Sequence, residues 1–257
     1  MKAIWNGAIG FGLVNIPIKM YSATESSNLD LDMLDKNDQS NIHYKRVNEK
    51  TGKEVPWENI VKGYKIDDEY IVLEDEDFEA ASPEKSKMLS IEQFVKEEEI
   101  ESVYFETPYF LEPQKNGENA YALLYKALKK TGMVGVGTFV MRTKENLCVI
   151  KPYEDILIVN KIRFPEELRS YDELNIPKKA VKEGELKMAI ALIEQTSEKF
   201  KPEQYVDTYT EDLLKIIDQK SKGKKPKIST SEAKSEKTVD LMAQLNASLE
   251  KSNKKVS

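Results

Sequence analysis

Residues 103–152, VYFETPYFLEPQKNGENAYALLYKALKKTGMVGVGTFVMRTKENLCVIKP, constrain the fold more than any other part of the chain. They open with an aromatic strand signal (Val103, Tyr104 and Phe105, then Tyr109 and Phe110), which two prolines and the polar run 114–119 bring to a halt. Tyr121, Leu124, Tyr125 and Leu128 then recur at three- and four-residue steps, while Lys126, Lys129 and Lys130 take the other face. That spacing predicts an amphipathic helix. Gly132 stands where a left-handed C-terminal cap is expected. Val134, Val136, Thr138 and Val140 mark one face of a following strand, with Gly135 and Gly137 leaving gaps on the other. Glycine inside a strand weakens it and marks a bend or the close approach of another backbone. A turn over 142–146 leads into a strand at 147–150. Strand, loop, helix and hairpin in this order predict the core of a curved sheet.

With 257 residues, 40% of them hydrophobic, the chain supports one large domain with a real core plus an appendage. The single cysteine, Cys148, excludes an internal disulfide framework and reads as a buried, inert thiol in an apolar strand. One cysteine and one histidine (His43) exclude a Cys/His zinc site within one chain. No apolar run approaches the ~18 residues of a membrane span, and no signal-peptide pattern precedes Ile4. The expectation is a soluble, cytoplasmic protein without a cofactor.

The net charge of −6 hides a strong asymmetry. Residues 1–66 carry nine Lys/Arg against eight Asp/Glu, residues 67–106 three against fifteen, residues 107–218 seventeen against eighteen, and residues 219–257 ten against four. The acid is concentrated in one segment and the tail is basic. Such a partition permits a polyanion-binding surface on a formally acidic protein, and equally a solvated acidic face with a soluble tail.

Taken in order, residues 3–21 alternate in places and carry Pro17, which predicts an edge strand or the end of one. Two short strands meeting at a bend, entering a barrel or sandwich, fit best. Residues 28–38 place Leu29, Leu31 and Met33 on one face of a further strand, with a turn over 35–40. Residues 43–64 interleave Lys45, Arg46, Lys50, Lys53, Lys62 and the adjacent Lys65 with Tyr44, Trp57 and Tyr64, around a turn at Thr51 and Gly52. Such side chains bind backbone phosphates with salt-dependent affinity, or simply form the wet face of a hairpin. Strands are expected at 69–73 and 88–94, with a short acidic helix at 75–81. The acidic runs 74–77 and 97–101 read as a solvated surface, or alternatively as a metal site for nuclease chemistry. Later, 156–159 and 161–164 read as final strands, and 185–200 as the clearest helix. Thr208 and Glu211 have capping-box spacing ahead of Leu213, Leu214, Ile216 and Ile217.

The runs WNGAIGFGLVNIPIKMYSATE, EVPWENIVKGY, FLEPQKNGENAYALLYKALKKTGMVGVGTFVMR and EGELKMAIALIEQ, in that order and spacing, resemble the bacterial Ku family over roughly residues 1–220. The resemblance implies an α+β protein: a β-barrel core over 1–172 with a DNA-encircling excursion at about 43–105. A helical dimerisation arm over 173–220 and a flexible basic tail over 221–257 would follow. It implies a homodimeric ring that binds double-stranded DNA ends in non-homologous end joining and works with a DNA ligase. It also implies a nucleoid-associated, non-enzymatic protein. The resemblance implies a protein without the N-terminal α/β domain and the C-terminal domains of the larger eukaryotic relatives, an expectation with which 257 residues agree. Some relatives carry a cysteine-rich, zinc-like pattern near what is here 47–52; this sequence has none, so no metal is carried over.

On that resemblance and on charge, Lys19, Lys45, Arg46, Lys53, Lys62, Lys65, Arg142, Lys144, Lys161 and Arg163 are the candidates to line the DNA channel. The acidic part of the excursion would face solvent and discourage wrong-side contacts. A protein that accepts any broken end cannot rely on base-edge hydrogen bonds, so phosphate contacts and the topology of a ring carry the expected mechanism. Leu186, Ile190, Ile193, Leu213 and Ile217 are the apolar positions of the expected dimer arm. Beyond the Lys/Ser-rich linker, Leu241, Met242, Leu245 and Leu249 form an apolar helical stripe that suits a docking segment for the ligase. The rival classes are a metal-dependent nuclease using the acidic segment, and a general nucleic-acid-binding β-barrel module. No glycine-rich phosphate loop, nucleophile elbow or Ser-His-Asp set supports an enzyme.

Overall fold

The computed structural model describes residues 1–81, 87–142 and 144–224. In chain order the elements are β1 (Trp5–Phe11), β2 (Val14–Ser22), β3 (Lys62–Ile66), β4 (Glu69–Leu73), α1 (Asp75–Ala81), β5 (Met88–Lys96), β6 (Phe105–Pro113) and α2 (Glu118–Thr131). They continue with β7 (Met133–Met141), β8 (Lys144–Tyr153), β9 (Ile156–Ile162), α3 (Glu183–Thr196) and α4 (Thr208–Ser221). Seven strands close into a barrel in the order β1-β2-β6-β9-β8-β7-β5, while β3 and β4 form a separate two-stranded sheet. Every neighbouring pair in the barrel is antiparallel except the closing one, where β1 runs parallel to β5 with Ala8 opposite Met88.

The barrel interior follows from the two-residue period of a strand. Ile16, Ile18 and Met20 of β2, Leu89 and Ile91 of β5, Tyr109 and Leu111 of β6, Phe139 of β7, Cys148 and Ile150 of β8, and Leu157 and Val159 of β9 join one buried cluster. Tyr121, Leu124 and Leu128 of α2 belong to the same cluster, so the helix plugs one end of the barrel. The Tyr121 hydroxyl donates to the Leu111 carbonyl at 2.8 Å and accepts from the Leu157 N–H at 2.7 Å. It thereby bridges two residues that face each other across β6 and β9. Burial of the ring against water pushes the phenol above its ordinary range. A second cluster, Val134, Val149 and Ile162, lies on the outer face and is covered by Ile100 and Tyr104 from the segment between β5 and β6.

Gly132 ends α2 at φ 67°, its N–H bonded to the Leu128 carbonyl, as the expected cap requires. The close backbone approach expected at the glycines of β7 is found at Gly137. A Cβ there would stand 1.9 Å from the Ser90 carbonyl oxygen, because β5 bulges between Ile91 and Gln93 directly opposite.

Pro17 lies within β2 rather than at an end or on a free edge. The Ala8 N–H opposite it points to the Lys87 carbonyl on the other side, so Pro17 occupies a position whose own N–H would face away from β1. On that far side the β2–β6 ladder begins only at Ile18, so no ladder bond is lost.

Several local expectations are corrected. Residues 28–38 form no strand beyond a single bridge between Leu34 and Asn41, because Leu31 and Met33 have no layer to pack on and stay exposed. The turn at 35–40 does form, with the Asp35 and Asp38 carboxylates accepting nearby backbone N–H groups. The 142–146 turn is shorter than expected, since Met141 already pairs with Lys144. Residues 156–162 make one continuous strand, all of it paired to β8, in place of two. Helix α3 ends at Thr196, where the Thr196 and Ser197 hydroxyls bond back to the Leu192 and Ile193 carbonyls, and so excludes Phe200. The cap of α4 is Asp207, not Thr208: its carboxylate accepts from the Thr210 N–H and hydroxyl, and these bonds hold it below the usual carboxylate range.

The chain divides into two compact units, Met1–Ser26 with Asp30–Ser170, and Ser27–Leu29 with residues from Tyr171 on. In the first, β5 lies inside the stretch 43–105 assigned to the excursion, yet its Leu89 and Ile91 are core residues. The excursion proper therefore runs over residues 23–87. In the second unit α3 and α4 bury none of their residues, and Leu186, Ile190, Ile193 and Ile217 are exposed while Leu213 is half-buried.

Candidate nucleic-acid interface

Strand register decides which cations meet. Phe105 at the start of β6 pairs with Ile162 at the end of β9, and Leu147 of β8 pairs with the same Ile162. Met141 at the end of β7 pairs with Lys144 at the start of β8, while Leu89 near the start of β5 pairs with Phe139. These ends form one rim of the barrel, opposite the end plugged by α2. Ser22, the last residue of β2, pairs with Tyr109 and opens onto the same rim. The excursion consequently leaves the barrel after Ser22 and returns at Met88 through a single rim, and that rim carries Arg142, Lys144, Lys161 and Arg163.

Two of these four contact one carboxylate. Lys161 Nζ lies 2.8 Å from Glu106 Oε2, and Arg163 Nη2 lies 3.3 Å from Glu106 Oε1. The hydrogen bond from Lys161, with the positive charges of Lys161, Arg163 and Lys144, holds the Glu106 carboxyl below its ordinary range against the opposing effect of burial. Arg163 is pinned further, because its Nη1 donates to the Val103 and Phe105 carbonyls at 2.9 and 3.0 Å. Lys144 stands 3.9 Å from Glu167. Arg142 is exposed at φ 55° and makes no ion pair among the described residues. Lys19 is apart from this group, on β2 between Asn6 and Glu112 and half-buried.

The remaining candidates sit on the excursion. The Asn48 side chain accepts from the Lys50 and Thr51 N–H groups, and the Gly52 N–H bonds to the Asn48 carbonyl, which closes a tight turn with Lys50 and Lys53 at its tip. Lys45 pairs with Glu54 at 2.7 Å, and the Arg46 guanidinium lies 4.6 Å over the Trp57 ring. On the β3–β4 hairpin Lys62 lies 4.4 Å over the Phe78 ring, and Lys65 pairs with Asp68 at 2.5 Å. The Lys45 and Lys65 pairs are largely exposed, and such pairs hold their cations weakly enough for a phosphate to compete. Charge separates sharply along this stretch. Residues 45–65 carry six Lys/Arg against three acids, and residues 67–79 carry eight acids and no base.

The acidic runs do not converge. Glu97 pairs with Lys151, Glu98 lies 3.7 Å from Lys96, and Glu99 accepts from the Lys96 N–H. Among the described residues no three His, Cys, Asp or Glu side chains form a group that could hold a metal. Cys148 is fully buried, and burial pushes its thiol far above the usual range, away from reactivity. No helix among the described residues is long and apolar enough to cross a membrane.

Sequence reasoning missed Glu106 and Glu167 as partners of the rim cations. Glu106 reads as one more acid of the 67–106 segment, and nothing local points to Lys161, which only the β6–β9 register brings to it. The stacking of Arg46 on Trp57 was within reach, because both lie in the basic–aromatic run. Leu241, Met242, Leu245 and Leu249 lie outside the described residues.

Known proteins resemble this chain over most of its length. The family model described as the Ku70/Ku80 beta-barrel domain matches residues 10–188. The non-homologous end joining protein Ku of Coxiella burnetii is 37% identical over 262 residues, spanning 98% of this chain and 96% of that one. The protein of the same name from Archaeoglobus fulgidus is 38% identical over 255 residues, spanning 97% and 99%. That from Bacillus subtilis is 37% identical over 259 residues, spanning 99% and 83%. Among solved structures, the SPOC domain of human PHD-finger protein 3 aligns at a TM-score of 0.31 and 11% identity over 63% of this chain and 95% of that one, too weak a likeness to bear on the fold.

Proposed function

Since this chain belongs to the Ku family, we propose that it binds double-stranded DNA ends without sequence preference, as a ring-shaped homodimer, in non-homologous end joining. The observation that carries this reading is the single rim through which a long excursion leaves and returns, with Arg142, Lys144, Lys161 and Arg163 upon it. Cations on the excursion (Lys45, Arg46, Lys53, Lys62 and Lys65) would line the other side of the channel, with Lys19 on the barrel wall. Their flexible, phosphate-directed contacts supply affinity but no base information, as a protein indifferent to sequence needs.

The second copy is argued from unpaired apolar surface. Leu186, Ile190 and Ile193 of α3, with Leu213 and Ile217 of α4, have little to cover them within their own unit. Two subunits joined there would close the ring, which bridges and protects a break. The stripe of Leu241, Met242, Leu245 and Leu249 would then dock the end-joining ligase from a Lys/Ser-rich linker.

The test is a salt series comparing a linear duplex with the same sequence as a covalently closed circle, reading complex mass and affinity. Retention on the linear form alone, with mass rising by two subunits per step, is expected. A chain cut after residue 237 is expected to bind that duplex equally well but to stimulate ligation less. Equal binding to the circle would remove the threaded ring, and magnesium-dependent shortening of the DNA would favour a nuclease.

A further inference from the structure

The rim cluster contains one acid too many for a surface built only to attract phosphate. Glu106 is three-quarters buried, at 25% side-chain exposure, as is Lys161, and Arg163 is little more open at 34%. It takes up the Lys161 ammonium and one arm of Arg163 together, two of the four rim cations. The excursion offers a contrast, since its ion pair of Lys45 and Glu54 leaves 71% and 56% of the side chains exposed. An exposed pair holds its partners loosely, whereas a carboxylate whose side chain is partly shielded keeps its cations closer to it.

A carboxylate held between a lysine and an arginine occupies the position a phosphate oxygen would take. Both are oxyanions that accept charge-assisted hydrogen bonds at about 2.7–2.9 Å. Arg163 also donates through Nη1 to the Val103 and Phe105 carbonyls, contacts that do not involve Glu106 and would keep the guanidinium in register were the carboxylate displaced. The Lys161 ammonium, on a flexible stem, is free to turn from one oxyanion to the other.

We propose that Glu106 is a built-in counterion of the rim, which holds Lys161 and Arg163 ready in the absence of DNA and competes with backbone phosphate for them in its presence. The inference rests on the DNA-end reading above and adds a consequence to it: Glu106 lowers affinity through its position, and so favours a ring that slides along the duplex over one that sticks where it lands. Each phosphate neutralised contributes about 0.9 to the slope of log K against log salt. Removing the internal competitor should therefore release about one further phosphate contact.

The experiment compares wild type, Glu106→Gln and Lys161→Gln on one linear duplex across a salt series. Glu106→Gln is expected to bind about eightfold tighter near 0.1 M salt, with a slope steeper by about 0.9, and Lys161→Gln to show a slope shallower by about 0.9. Wild-type affinity and slope in a folded Glu106→Gln, or weaker binding by it, would overturn the proposal and leave Glu106 as a strut of the rim. Should Glu106→Gln fail to fold, the slope of Lys161→Gln decides, because an unchanged slope means Lys161 never reaches a phosphate. Failure of the end-binding reading looks different: wild type itself would not distinguish the linear duplex from the circle.

Discussion

The barrel and the excursion are built from similar apolar residues and come out opposite. Every strand of the barrel contributes to one interior cluster, and Phe139, Ile9 and Ile150 are almost wholly removed from water. In the described excursion no side chain is buried, although it carries Trp57, Tyr64, Tyr70, Ile71 and Val72, and these are 49–72% exposed. The difference is one of layers. A closed sheet with a helical plug gives each inward side chain a partner on several sides, whereas a lone two-stranded sheet such as β3–β4 offers one face and nothing to pack it against. The excursion is held by turns, Asx bonds and cation–ring contacts, and its apolar and basic side chains stay open to solvent.

The largest effect that would break this contrast is on stability. Phe139→Ala, which empties the middle of the barrel, is expected to cost about 3–5 kcal/mol in urea unfolding, and Trp57→Ala on the excursion no more than about 0.5 kcal/mol. A comparable loss at both positions would mean that the excursion carries a core of its own. Tyr121→Phe sharpens the account of the plug: it leaves the Leu111 carbonyl and the Leu157 N–H without their phenolic partner. About 1–3 kcal/mol should disappear from the unfolding free energy, with no change in DNA affinity. A neutral Tyr121→Phe would show that water replaces the hydroxyl there. Smallest in stability, within about 0.5 kcal/mol, is the combined Lys45→Glu and Arg46→Glu. Its effect belongs to binding, where affinity for a linear duplex at moderate salt should fall at least tenfold, with a slope shallower by about two phosphates. Unchanged end binding would take this pair off the channel.

Much of the barrel is legible in the sequence. The alternation in β2 and β7, the period of α2 and the glycine at its end each name their element, because strand and helix periods are local properties of the chain. The glycines of β7 even announce that another backbone comes close, which Ser90 does. What misleads is locality itself. Pro17 argues for an edge, yet it fits inside a closed barrel because its missing N–H faces away from β1, on the side where the β6 ladder begins only at Ile18. Leu29, Leu31 and Met33 have a strand's spacing but no sheet to join. Thr208 has a capping box's spacing, but Asp207 stands one residue nearer the chain's entry and makes the bond.

The candidate interface divides the same way. The charge runs and the resemblance together name the ten cations, and the basic–aromatic interleaving of 43–64 marks where several of them lie. Whether a cation is stacked, paired or open is not encoded nearby. Lys161 meets Glu106 across 55 residues of sequence only because β6 and β9 are neighbours in register.

By itself, then, the sequence determined most of the barrel's strands, the helix that plugs it and the separation of basic from acidic stretches, since these rest on spacing and composition along the chain, and its quoted runs carried the resemblance to the family. The tertiary structure alone decided that the excursion begins and ends at one rim, that four cations share that rim, and that Glu106 binds two of them. Closure of the barrel is the physical reason. It sets the register of strands far apart in sequence, and register, not spacing, determines which charges become neighbours.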